Sequence, residues 1–263
     1  MSTGRVHSKV ALVTGAGSGI GRATAILTAR EGATVIVSDR NAQAAEQVAS
    51  EIRDGGGKAE AIRLDITEES AWVAVMDTIL THHQRLGVLV NNAGVSCAKP
   101  IAETTLAEWR RVLGVNLDGV FLGTRHAILA MRSVGGGSII NVASVSGINA
   151  YPEASAYGAS KAAVRHFSKV AAIECANAGT GIRVNVVTPG GVKTPMWETM
   201  DFFRDLVAQH GGTERAYAAL AGTSASNQFS SPEDIARTIL YLASDESAHL
   251  NGVELVIAQG HIG

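Results

Sequence analysis

The stretch Tyr-Gly-Ala-Ser-Lys at 157–161 sets a phenol and an amine four residues apart with only small side chains between them. Residues i and i+4 share one face of a helix, so Tyr157 and Lys161 can point into the same pocket. The bland reading is a surface tyrosine beside a solvated lysine. The chemical reading is a proton-transfer pair. A phenol with a reference pKa of ~10 needs a fall of about three units, roughly 4 kcal/mol, to accept a proton near neutral pH. A cation ~4 Å away supplies about 1 kcal/mol in water and about 4 kcal/mol at an effective dielectric near 20. Such a pair therefore works only in a partly desolvated cleft. Ser144 ends a β-branched run thirteen residues before Tyr157, and its hydroxyl can donate to an oxygen that gains negative charge. Alone, a serine there is a turn residue; with Tyr157 and Lys161 it makes a site.

A second constellation lies near the start of the chain. Thr14 to Gly21 reads TGAGSGIG, directly after the run KVALVT. A glycine-rich turn from a strand into a helix lets backbone approach a pyrophosphate, whose charge meets the free N–H groups of the helix N-terminus. Gly15, Gly19 and Gly21 give a G-x-x-x-G-x-G spacing, with Ser18 and Ile20 between them. Glycines in tight turns need no ligand, but the place after the first strand favours one. Asp39 follows 18 residues after Gly21, near the ~20 expected of an acid that accepts the adenosine ribose hydroxyls. The competing role is N-cap of the next helix. A carboxylate there repels a 2′-phosphate and favours NAD over NADP, a preference weakened by neighbouring Arg40. Asp65 and Ile66, after the third strand, are placed to bound the adenine.

These residues need elements to hold them. Short β-branched runs at 9–14, 34–39, 58–65, 88–92, 138–144, 182–189 and 253–258 alternate with helical segments at 20–31, 41–54, 68–84, 105–133, 155–178 and 232–243, the helix at 105–133 broken near Gly114. This is the pattern of βαβ units and a parallel sheet, and the continuously apolar strands fit a sheet covered on both faces. Thr67, with Glu68, Glu69 and Ser70, and Ser231, before Pro232, carry helix-start signals. Residues 193–230 form a connection too long for a turn, with Met196, Trp197, Met200, Phe202, Phe203, Leu206 and Val207 in its first part. It reads equally as a helix burying an apolar face and as a substrate cover.

Composition narrows the function classes. The chain has 263 residues, 46% hydrophobic, with no linker, so one domain over 1–263 is expected. With 22 basic and 24 acidic residues there is no electrostatic pull towards nucleic acid or anionic membranes. No apolar run reaches ~18 residues and VALV is too short for a signal-peptide core, so a soluble, cytoplasmic protein is expected. Cys97 and Cys175 lack CxxC partners, and adjacent His82 and His83 diverge on a helix and read as its solvated end, so no metal site is indicated.

TGAGSGIG, NNAG (91–94), Asn116, Ser144, YGASK and PGGVKTP (189–195), in this order across nearly the whole length, resemble the short-chain dehydrogenase/reductase family. VLVNNAG, GGSIINVASVSG and IRVNVVTPGGVKTPM look most like its bacterial NAD-dependent hydroxysteroid and alicyclic-alcohol members. The resemblance implies a Rossmann-type, doubly wound α/β domain: a seven-stranded parallel sheet, helices on both faces and a helical substrate lid at about 193–230. It implies Tyr157 as acid/base, Lys161 as its activator and ribose anchor, Ser144 as donor to the substrate oxygen, and Asn116 as holder of a relay water near Lys161. Asn92, Ala93 and Gly94 would support the nucleotide, Pro189 and Gly190 of PGGVKTP would also bind the cofactor, and Val192 and Thr194 would meet the nicotinamide carboxamide. It also implies a homotetramer or dimer built on 105–133 and 155–178. The family's VDGG reads here AQGH (258–261), which departs from the usual C-terminal subunit contacts.

The expected activity is hydride transfer between NAD and a bulky, apolar, cyclic or steroid-like secondary alcohol or its ketone, with Tyr157 moving the proton. A 3-oxoacyl-thioester reductase using NADPH is the alternative, disfavoured by Asp39 and by the absence of a basic residue at position 18. A non-catalytic NAD-binding scaffold is the third reading; it would have no need of Ser144, Tyr157 and Lys161 together.

Overall fold

The computed structural model describes residues 4–222 and 226–259. Its strands are β1 (Val10–Thr14), β2 (Thr34–Asp39), β3 (Lys58–Arg63), β4 (Val88–Asn91), β5 (Gly137–Val142), β6 (Ile182–Pro189) and β7 (Glu254–Ile257). They form one seven-stranded, all-parallel sheet in the order β3-β2-β1-β4-β5-β6-β7. The helices are α1 (Gly19–Arg30), α2 (Ala42–Asp54), α3 (Glu69–His83), α4 (Leu106–Leu113), α5 (Gly119–Met131), α6 (Ser155–Asn177), α7 (Asp201–His210), α8 (Thr213–Ala221) and α9 (Pro232–Ala243). This is a Rossmann-like α/β fold.

The unbroken apolar strands divide their side chains by parity. Ala11, Val13, Val88, Val90, Ile140 and Val142 face a layer built from α1, α2 and α9, with Ala25, Val48, Ile52 and Ile239 among its buried members. Val10, Leu12, Leu89 and Ile139 face the opposite layer, where α3, α5 and α6 bring Trp72, Ile79, Met131 and Ala171. A strand alternates its side chains between faces, so a strand covered on both sides must be apolar throughout. The strand order reverses between β1 and β4, and in such sheets the crevice beyond the strand ends at the reversal receives the ligand.

One helix start and one break differ from expectation. Ser231 caps α9 in a capping box with Asp234, as its sequence signal suggests. Thr67 does not cap α3: Glu68 holds that position without a side-chain bond, because the Thr67 hydroxyl donates instead to Asp65 Oδ1 at 2.7 Å. Between α4 and α5 the helix does not break but passes through a π turn at Gly114–Asp118. Gly119 follows it because a Cβ there would lie 2.6 Å from Ile66 Cδ1. At the end of α3, His82 is exposed, but His83 is largely covered and lies 3.1 Å from Glu60, so only the first is a solvated helix end.

The 193–230 connection contains α7 and α8 around Phe203, Ala216 and Tyr217, all buried. Its ends are stapled by a parallel bridge between Val192 and Ser230 and by the Ser230 N–H bond to the Gly191 carbonyl. Residues 223–225 within it, and Gly260 and His261 of the AQGH segment, lie outside the described residues. No helix among the described residues is long and apolar enough to cross a membrane.

Candidate active site

Because α6 begins at Ser155, Tyr157 and Lys161 occupy its first two turns, on one face. Both line a cavity of about 880 Å³ at the strand-order reversal. Lys161 is 3% exposed; its Nζ donates to the Val142 carbonyl at 2.8 Å and sits 5.7 Å from the centre of the Tyr157 ring. Ser144 lies two residues past the end of β5, where it caps a 3-10 turn at Val145–Gly147 and its Oγ accepts the Ser146 N–H at 3.2 Å. The same hydroxyl hydrogen-bonds the Tyr157 phenol. Phenol, hydroxyl and ammonium therefore converge.

Their electrostatics correct the simplest form of the sequence argument. Burial raises the Tyr157 pKa, and the Ser144 hydrogen bond only partly opposes this. Burial also brings Lys161 down to about 8, so that at pH 7 its charged form still leads by about ten to one. Withdrawing water strengthens the pull of the ammonium, but it also penalises the phenolate, and here that penalty dominates. An effective base at Tyr157 thus calls for further positive charge in the cleft.

Asn116 does not line the cavity. The π turn places it, fully buried, one layer behind, where Oδ1 accepts the Val95 N–H at 2.8 Å and Nδ2 donates to the Val95 carbonyl at 2.9 Å and to Ser160 Oγ at 3.1 Å. Both amide hydrogens have protein acceptors, so the second lone pair of Oδ1 is what the side chain keeps for a water. A Cβ on Gly94 would sit 3.3 Å from Asn116 Oδ1 and 3.6 Å from Lys161 Nζ, so the glycine separates the two.

The residues around the glycine turn fit a dinucleotide. Gly15 and Gly19 have positive φ, and a Cβ on Gly21 would lie 2.2 Å from the Gly15 carbonyl oxygen. Ser18 is the N-cap of α1 but makes no side-chain cap bond, which leaves first-turn N–H groups for an anion. Asn92 Nδ2 donates to the carbonyls of Thr14 and Gly15, tying β4 to the turn. The Asp39 carboxylate accepts the Gly17 N–H at 3.1 Å and the Asn41 N–H at 2.9 Å, while Asn41, not Asp39, caps α2. Asp65 is held by the backbone and hydroxyl of Thr67, which keep its pKa below the usual carboxylate range.

Apart from Asn116, every residue expected at the site lines this one cavity: Gly15, Ser18, Gly19, Ile20, Asp39, Asp65, Ile66, Asn92, Ala93, Gly94, Ser144, Tyr157, Lys161, Pro189, Gly190, Val192 and Thr194. Both readings of the lid hold in part. Met196, Trp197, Met200 and Phe202 face the cavity, whereas Phe203 is the lid's own core and Leu206 and Val207 pack against it. Trp197 Nε1 donates to the Val192 carbonyl at 2.8 Å and the Tyr217 hydroxyl to the Thr194 carbonyl at 2.9 Å, so the lid is anchored at the residues it covers. Sequence reasoning missed Val95, Ser96 and Cys97 after β4, Tyr151 and Pro152 before α6, and Phe229. They lie in loops, where no periodicity marks an inward side chain.

Fold and site together define a dinucleotide-dependent oxidoreductase. The short chain dehydrogenase family model matches residues 9–203, and the chain belongs to this family. It is 42% identical over 258 residues to the cyclopentanol dehydrogenase of Comamonas sp. (strain NCIMB 9872), covering 98% of each chain. It is 39% identical over 263 residues to the NADP-dependent (R)-specific alcohol dehydrogenase of Lentilactobacillus kefiri, again covering 98% of each. A short-chain type dehydrogenase/reductase from Mycobacterium marinum superposes with a TM-score of 0.88 at 35% identity, covering 97% of this chain and 96% of that one.

Proposed function

We propose that the protein interconverts a bulky apolar, cyclic secondary alcohol and its ketone with NAD, with Tyr157 as acid/base. One observation carries the reading: Ser144, Tyr157 and Lys161 meet in a cavity that runs from a glycine cradle with an acid at Asp39 to a wall of Met196, Trp197, Met200 and Phe202. The likeness to a cyclopentanol dehydrogenase supports a cyclic substrate. We further read residues 1–263 as one cytoplasmic domain, assembled as a homotetramer or dimer through the exposed apolar side chains of α5 and α6, among them Phe121, Leu129, Val170 and Ile173.

A nicotinamide bound beside Tyr157 supplies the hydride acceptor and the additional positive charge that the buried phenol needs. Ser144 hydrogen-bonds the substrate oxygen and orients it towards the phenol. Tyr157 takes the alcohol proton in oxidation and returns it in reduction. Lys161 holds its charge close to the phenol, anchored on the Val142 carbonyl, and Asn116 braces the 94–95 backbone against α6 through Ser160. Asp39 receives the ribose hydroxyls and disfavours a 2′-phosphate.

The test is a panel of cyclic, steroidal and aryl secondary alcohols assayed with NAD and NADP. Turnover favouring NAD and cyclic substrates is expected. The NADP-dependent relative and Arg40 at the cavity favour a second reading, in which the phosphorylated cofactor is used as well; equal rates would establish it. Higher rates on 3-oxoacyl thioesters with NADPH would move the activity to fatty-acid chemistry, and NAD binding with no turnover across the panel would leave only a scaffold.

A further inference from the structure

The face of α6 that carries Tyr157 and Lys161 continues, four residues on, to Arg165, which no part of the chemistry above uses. Its guanidinium forks onto Glu254 of β7, Nε to Oε1 at 2.5 Å and Nη2 to Oε2 at 3.0 Å. Its remaining nitrogen, Nη1, donates to the Gly147 carbonyl at 2.5 Å. Glu254 is itself fixed: Oε1 accepts the Thr188 hydroxyl at 2.8 Å, Lys169 Nζ lies 3.8 Å from Oε2, and the carboxylate side chain is 11% exposed.

Gly147 closes the 3-10 turn that Ser144 opens. This turn rests on α6 backbone against backbone. A Cβ on Gly147 would lie 2.6 Å from Ala162 N and 2.7 Å from Lys161 C, and one on Gly158 would lie 2.8 Å from the Ser146 oxygen. Contacts so close carry no interlocking side chains; beside the Ser144–Tyr157 hydrogen bond and Lys161 on the Val142 carbonyl, it is Arg165 that grips the far end of the turn.

We infer that Arg165, braced by Glu254, is a positioning residue that clamps the Ser144 turn onto α6 and so fixes the Ser144 hydroxyl against Tyr157. The inference rests on the hydride-transfer reading. Arginine suits the task because its planar fork spans a carboxylate and a carbonyl together, whereas the compact ammonium of lysine meets one of them.

Arg165→Lys keeps the ion pair with Glu254 and loses the clamp. Expected are NAD affinity within about threefold of the parent and a kcat lower by about 10- to 100-fold, as a misplacement of about 1 Å can cause. In a Ser144→Ala background the same substitution should cost less than about twofold, since the hydroxyl it positions is gone. An equal loss in both backgrounds, parental kcat in Arg165→Lys, or lost NAD binding would overturn the inference. Glu254→Gln, which keeps the shape and weakens the brace, should repeat the pattern at smaller size; if Arg165→Lys does not fold, a Glu254→Gln loss that is absent or equal in both backgrounds decides against it. A parent without turnover on any alcohol would fail the hydride-transfer reading instead. The clamp is then read from phenolate absorbance on titration, each variant against its Tyr157→Phe counterpart: Arg165→Lys should raise the Tyr157 midpoint as Ser144→Ala does, and an unmoved midpoint refutes it.

Discussion

At Lys161, burial and charge conflict, and the conflict is measurable. The folded pKa of about 8 lies below the ordinary lysine value of 10.5, so between these values the unfolded chain binds more protons. Stability therefore rises with pH through that window. Compared in a Tyr157→Phe background, Lys161→Met should miss roughly 2–3 kcal/mol of stabilisation that the lysine chain gains between pH 7 and 10, read from urea unfolding at the two pH values. Tyr157→Phe alone should abolish turnover and leave the NAD dissociation constant within about threefold, because the phenol moves a proton and the cradle holds the cofactor. Turnover near the parental rate would refute its assignment. Residues of this kind were legible because their spacing is short: 157 and 161 on one helix, and the glycines of 15–21 in one turn. Asn116 was legible as a member of the motif set but not in its contacts, which come from Val95 and Ser160, 21 and 44 positions away.

Elements depend on their ends and joints. Ser231 accepts the Asp234 N–H while Asp234 reaches back to the Ser231 N–H and hydroxyl, so Ser231→Ala should lower stability by about 1 kcal/mol. Its effect on kcat should be small, since α9 lies on the layer with α1, away from Tyr157; a large activity loss at unchanged melting temperature would contradict this. Phe203 is the opposite case, a fully buried side chain within the lid. Phe203→Ala should raise the alcohol KM more than it lowers NAD affinity, because the wall it supports, Trp197 and Phe202, faces the substrate end; equal effects on both ligands would refute the division. Strands were placed to within two residues of their ends, since both-face burial leaves a plain apolar signature. The π turn at Gly114–Asp118 was read as a break, because one extra residue per turn does not alter hydrophobic spacing enough to separate the two.

For the whole molecule, the cavity joins β1, β2, β4, β5, β6 and the lid, so a ligand that fills it should stabilise all of them together. NAD at about 100 times its dissociation constant should add about 2.7 kcal/mol, a rise in melting temperature of roughly 5–10 °C. NADP at equal concentration should raise it less, owing to the Asp39 carboxylate; an equal or larger rise would reverse the proposed cofactor preference.

Read alone, the chain specified its alternation of strands and helices, its glycine turn, and the pairing of Tyr157 with Lys161, all encoded within a few turns or a single βαβ unit. Tertiary structure decided whether burial helps or hinders the phenol, which loops wall the cavity, and how Arg165 comes to grip Gly147 and Glu254. These depend on distances between residues far apart in sequence, and desolvation is a property of everything packed around a group.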